Sequence, residues 1–269
     1  MSIRVRWPID IKDLFMISDL IEDGTNDKVS IAKLLGRGQE KVRCSLEWLG
    51  YLELIKADRK GFYRITSFNN YIKNMINDKY EDALALLYHK LYTNYEYIQW
   101  LIGTYGNEKF EQNETVQLIN SKKLLIKQAH QYFENININV SEDTLTRQLA
   151  RDLKSITSTE GFGTLGLVSY GVDKSIKFNS YQPSNNVIFN AILYNWPENT
   201  VAMSIDYFTF NKRSSLSQMF LLTPEEVLRC LKKLENLNLI DVINSGELSY
   251  IAKKSNITYE ELLNNQILI

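Results

Sequence analysis

The stretch SIAKLLGRGQEKVRCSLEWLGYLELIKADRKGFYRIT, Ser30 to Thr66, decides the reading of the N-terminal part of the chain. Ser30 starts a short helix over IAKLLG, Gly36-Arg37-Gly38 makes a turn, and QEKVRCSLEWLG forms a further helix with Val42, Leu46 and Leu49 on its inner face. Beyond it, Leu52 with Leu54 and Ile55, and then Phe62, Arg64 and Thr66, read as two strands around the polar turn Asp58-Arg59-Lys60-Gly61. Upstream, Asp10 caps a helix whose apolar residues Ile11, Leu14, Phe15, Ile17 and Ile21 follow the 3.6-residue period and which closes at Asp23-Gly24. Three helices and a hairpin within residues 1–74 make a winged helix-turn-helix.

Charge singles out the same part. The 269 residues carry a net charge of −1, but Lys28 to Arg64 holds nine Lys/Arg against four acids, a local net of +5. In a winged helix one helix enters the major groove of double-stranded DNA and the hairpin reaches the neighbouring backbone. Arg37 at the turn and Arg59, Lys60 and Arg64 around the wing are the expected phosphate contacts. Lys41 lies on the groove-facing helix, where Gln39 and Arg43 have the forked donors suited to base edges. Winged helices also serve as protein-interaction modules, so a non-enzymatic adaptor and a transcriptional regulator stand beside DNA contact.

The rest of the chain reads as mainly α with small β-hairpins. Residues 75–158 form a helical middle domain, rich in Tyr80, Tyr88, Tyr92, Tyr95, Tyr97, Trp100 and Tyr105, whose aromatics suit a core or a partner interface better than a stacking platform. Within it NETVQLINSKKLLIKQAHQYFENI reads as one helix. On the next helix Arg147, Arg151 and Lys154 share a face that Asp143 and Asp152 partly neutralise. Residues 159–269 read as an α+β winged-helix-like domain: Thr223, Pro224 and Glu226 open a helix, and LIDVI and ELSYIA form its hairpin. Between these parts lies TEGFGTLG, whose Gly161, Gly163 and Gly166 spell G-x-G-x-x-G. A dinucleotide site needs a buried strand before that motif and a helix after it, whereas here a helix precedes and a β-rich segment follows; a structural turn is expected.

No apolar run approaches the roughly 20 residues of a membrane span, so a cytoplasmic location without membrane contact is the expectation. Two cysteines and two histidines in separate segments give no expected metal site or disulfide framework. No cofactor is expected either, and the chain shows no nucleophile elbow or nuclease-type acid cluster, so an enzyme is not expected. Segments AKLLGRGQEKVRCSLEWLGYLELI, EDALALLYHKLYTN, LGLV, VIFNAILYNW and SLSQMFLLTPEEVLRCLKKLEN, in that order, resemble an uncharacterised bacterial family encoded near DNA phosphorothioation-dependent restriction and other phage-defence genes. The resemblance implies an accessory or DNA-sensing component of a multi-protein system and brings no catalytic residues; protein partners or a homodimer are expected with it.

Overall fold

The computed structural model describes residues 7–59, 61–112, 117–119, 122–136, 138, 140–171, 176–209, 215–245, 248–254, 257–267 and 269. In chain order the elements are α1 (Ile11–Glu22), α2 (Lys28–Leu34), α3 (Gln39–Tyr51), β1 (Ile55–Ala57), β2 (Tyr63–Ile65), α4 (Ser67–Met75), α5 (Tyr80–Asn94), α6 (Glu96–Gln112), β3 (Gln117–Ile119), α7 (Lys122–Asn135) and α8 (Glu142–Thr157). There follow β4 (Val168–Tyr170), β5 (Ile176–Phe178), α9 (Asn185–Tyr194), β6 (Ala202–Ser204), α10 (Asp206–Thr209), α11 (Leu216–Phe220), α12 (Pro224–Asn236), β7 (Ile240–Ser245), β8 (Leu248–Lys253) and α13 (Tyr259–Asn264). The chain is mainly helical with small antiparallel sheets, as its periodicities indicate.

Contacts gather the chain into two compact units, each built from two separate segments: residues 1–70 with 117–178, and residues 71–116 with 179–269. This division cuts across the three segments 1–74, 75–158 and 159–269. The middle helices do not form a body of their own, because α7 and α8 complete a core with the N-terminal helices while α5 and α6 complete one with the C-terminal helices.

In the first unit, α1 and α2 both pack on α3, whose Val42, Cys44, Leu46, Trp48 and Leu49 are buried. Asp10 caps α1 by accepting from the Asp13 backbone N–H. Helix α2 begins at Lys28 rather than at Ser30, because Asp27 accepts from both Val29 N and Ser30 N at 3.0 Å and is the stronger cap. The run expected as one helix from Asn113 contains β3, which pairs antiparallel with β5 through Ile119 and Ile176. The partner lies more than fifty residues downstream, out of reach of any local pattern.

The glycine motif lies on α8. Phe162 N donates to the Ser155 carbonyl at 2.8 Å and Gly163 N to the Ser158 carbonyl at 2.8 Å, so the chain doubles back over the end of the helix. A Cβ on Gly161 would overlap the Ser155 carbonyl oxygen, and one on Gly163 would overlap that of Thr157. Gly166 takes a left-handed φ of 67°, and β4 and β5 follow as an antiparallel pair. The same turn holds α1: Ile11 N donates to the Glu160 carbonyl at 2.8 Å and Ile9 N to Ser155 Oγ at 2.8 Å.

In the second unit, α5 is buried on every side from Ala83 to Tyr92 and packs between α6 and α9. Tyr88, Tyr92, Tyr95, Tyr97 and Trp100 are core side chains, whereas Tyr80 is exposed and the side chain of Tyr105 lies outside the described residues. Thr223 and Glu226 form the expected capping box of α12, with Pro224 in the first turn. Its hairpin, β7 and β8, gains a third strand in β6, so the sheet order is β6-β8-β7. No helix among the described residues is long and apolar enough to cross a membrane.

Two glycine substitutions should move stability in opposite directions. Gly161→Ala forces a backbone shift and should cost about 2–4 kcal/mol. Gly50→Ala, on the exposed side of α3 with nothing within 4 Å of the new methyl, should gain about 0.5–1 kcal/mol. Urea denaturation of the two variants beside the parent measures both; equal stabilities would refute the close approach at Ser155.

Candidate nucleic-acid interface

Helix α3 starts from the Gly36-Arg37-Gly38 turn, and Gln39, its first residue, is exposed. The cations expected beside it have partners within the protein. Arg37 Nη2 meets Asp13 Oδ1 at 2.5 Å and Lys41 Nζ meets Asp13 Oδ2 at 2.9 Å, joining α3 and the turn before it to α1. Burial alone would raise the Asp13 carboxyl, but the hydrogen bonds and charges of Lys41 and Arg37 outweigh it and hold the group below its ordinary 3.8. Arg43 lies between Glu40, at 3.2 Å, and Glu47, one turn on. Burial pushes the Glu47 carboxyl up despite Arg43, while for Arg43 the carboxylates overcome desolvation and favour the guanidinium. This face of α3 is therefore much closer to neutrality than its count of basic residues suggests.

The hairpin differs. Arg59 is exposed at the tip, and Arg64 is 78% exposed with only a loose 3.9 Å approach to Asp58. Lys60 lies outside the described residues. The register pairs Lys56 of β1 directly with Arg64 of β2, and both are exposed. Directly opposed residues share a face of the hairpin, so two like charges stand side by side, an arrangement that costs stability in isolation and that an anion would relieve. Lys56 was not among the residues singled out from the sequence. The turn Asp58–Gly61 read from the sequence is centred between Arg59 and Lys60 and sets Lys56 opposite Tyr63, whereas the observed register is shifted by one residue and sets it opposite Arg64.

Asp13 was missed for a different reason. It stands in the first turn of α1 next to Lys12, where an acid reads as a capping or dipole residue, and only the packing of α1 on α3 brings it to Arg37 and Lys41. On α8, Arg147 pairs with Asp143 at 2.5 Å, while Asp152 is buried and accepts from Gln148 Nε2 at 3.0 Å.

No protein-family model matches the chain, and no curated protein sequence matches it significantly. Its fold is similar to that of the SspB crystal structure, with a TM-score of 0.62 and 13% identity over 88% of this chain and 76% of that one. It is also similar to the magnesium ion-bound SspB crystal structure, with a TM-score of 0.67 and 13% identity over 95% of this chain and 81% of that one. At this identity the likeness is one of fold.

Asp13→Asn should cost about 1–2 kcal/mol at pH 7, between the worth of a surface pair and that of a buried one. Because the folded carboxyl titrates below its unfolded value, this contribution is complete above about pH 4 and is lost as pH falls through the folded value. Parent and variant melting curves should therefore converge on acidification; a gap that persists unchanged at pH 2 would show that charge is not its origin.

Proposed function

We propose that the chain is a DNA-binding accessory or sensing subunit that contacts duplex DNA through a winged helix formed by α1, α2, α3 and the β1–β2 hairpin. The observation that carries this reading is the facing pair Lys56 and Arg64 on the hairpin with Arg59 at its tip, a set of exposed cations at the position of a wing. Arg59, Lys60, Arg64 and Lys56 would neutralise phosphates, and Gln39, exposed at the start of α3, would meet a base edge. Arg37 and Lys41 serve first as ties to Asp13, and Arg43 is held by Glu40 and Glu47. Affinity then rests on the wing, and the carboxylates of α3 penalise a phosphate placed against Arg43. The family resemblance gives the biological setting: a multi-protein system linked to DNA modification and phage defence.

Magnesium in one SspB structure belongs to that protein. Among the described residues of this chain no group of three or more His, Cys, Asp or Glu side chains is gathered to hold a metal ion, and no step of the reading runs through one. A protein-adaptor role is the second reading, favoured by the engagement of Arg37, Lys41 and Arg43 with carboxylates. Co-purification of a stable partner, with no retention of DNA at low salt, would select it.

The two partners of the hairpin pair make a sharp test. Lys56→Ala and Arg64→Ala should each weaken duplex binding by about tenfold near 0.1 M salt and lower the slope of log K against log salt by about 0.9. Each should also stabilise the fold by a few tenths of a kcal/mol, roughly, by removing the like-charge contact. Glu40→Gln combined with Glu47→Gln should raise affinity and steepen the slope. Absence of salt-dependent duplex binding by the parent protein in a fluorescence anisotropy titration would end the DNA reading.

A further inference from the structure

The second unit contains a cavity of about 580 Å³ that the winged-helix reading does not use, within the usual size range of small-molecule sites. Its wall is aromatic: Tyr194 at the end of α9, Trp196 just beyond, and Tyr259 at the start of α13. Tyr194 and Tyr259 meet edge to face with centroids 5.2 Å apart, and Trp196 Nε1 donates to the Thr200 carbonyl at 2.7 Å, so the rings are held in place. Lys90, a fully buried residue of α5 that does not line the cavity, lies over two of these rings, with Nζ 3.0 Å from the Tyr194 centroid and 4.7 Å from that of Tyr259. Lys253 of β8 does line the cavity, with Nζ 5.3 Å from the Trp196 ring centroid.

These ammonium groups decide what kind of ligand the rings favour. A cation on one face of an aromatic ring draws its π density and makes the other face a poor seat for a second cation, but a good one for a neutral, electron-rich plane. The exposed carboxylates of Glu198 and Glu260 also line the cavity and supply hydrogen-bond acceptors, while Lys253 supplies a donor. Two acids against one lysine disfavour several phosphates gathered inside the cavity, such as those of a nucleoside triphosphate.

We infer that this cavity binds a nucleobase carrying an exocyclic amino group, stacked on one ring of the Tyr194, Trp196 and Tyr259 wall with the other rings at its edges. The amino group donates to Glu198 or Glu260, and Lys253 meets a ring acceptor or the single phosphate attached to the sugar. The same chemistry has two sources: a free nucleoside monophosphate, or one nucleotide unstacked from a DNA strand. The inference stands on residues of the second unit alone, so loss of duplex binding in Lys56→Ala bears only on the wing.

Calorimetric titration of the full chain with adenosine 5′-monophosphate, uridine 5′-monophosphate and a hexadeoxyadenylate strand tests it. The adenine ligand should bind saturably and about tenfold more tightly than the uracil ligand, which has no amino group. Trp196→Leu and Tyr259→Leu should each weaken binding by about tenfold. Glu198→Ala with Glu260→Ala, which removes both acceptors at exposed positions, should remove the preference for adenine without disturbing the fold, which keeps the test decisive if the aromatic variants misfold. Binding of the monophosphate identifies a free nucleotide as the source, and binding of the strand alone identifies an unstacked base; either supports the site. It is overturned if neither ligand saturates, if folded aromatic variants bind like the parent, or if choline, a cation with no ring, competes at equal concentration.

Discussion

The first unit depends on how closely the backbone at Gly161 lies against the last turn of α8. That approach leaves no room for a side chain, and it aligns the Ser155 carbonyl with Phe162 N. Ser155 is used twice, since its hydroxyl receives Ile9 N just ahead of α1. Glu160, within the same turn, receives Ile11 N at the start of α1. Through α1 the constraint reaches Asp13 and therefore Arg37 and Lys41. A motif with the spelling of a phosphate loop thus acts as a fastening between two helices far apart in sequence. Its glycines are needed for proximity, and the atoms they approach are the protein's own carbonyls.

How much of this was legible follows from the range of each interaction. Helix starts set by a side chain three residues away, such as Asp10 on α1 and Thr223 on α12, can be read from the chain directly. The same holds for α3, whose buried side repeats with the helical period. Strands β3 and β6 were not legible, because three residues make no pattern and their partners, Ile176 and Ala252 among them, lie some fifty residues on. The unit boundaries were hidden for a related reason: helices of the middle segment look alike in sequence, and only packing assigns α5 and α6 to one core and α7 and α8 to the other.

Basic residues show the same limit in electrostatic form. A count of charge along Lys28 to Arg64 treats every lysine and arginine as equally available, whereas the fold divides them. Those near α3 face carboxylates, two from their own helix and one from α1. Those on the hairpin face each other. A field that seems uniform along the sequence becomes, in space, a screened helix and a repulsive strand pair.

Each unit is assembled from two stretches of chain with a stretch of the other unit between them. This arrangement has a consequence during synthesis. When residue 70 has left the ribosome, α1, α2 and α3 exist without α8 and the Gly161 turn, which are made about ninety residues later. At about 5–20 residues per second that interval lasts roughly 5–18 seconds, long compared with helix formation. The nascent chain must carry the start of α1 without its Ser155 and Glu160 partners through that interval, and the second unit waits longer still for α9 and α12. A gene cut at any of the three boundaries, after residue 70, 116 or 178, would split the core of at least one unit between its fragments, so the two units are separate as bodies but inseparable as segments of sequence.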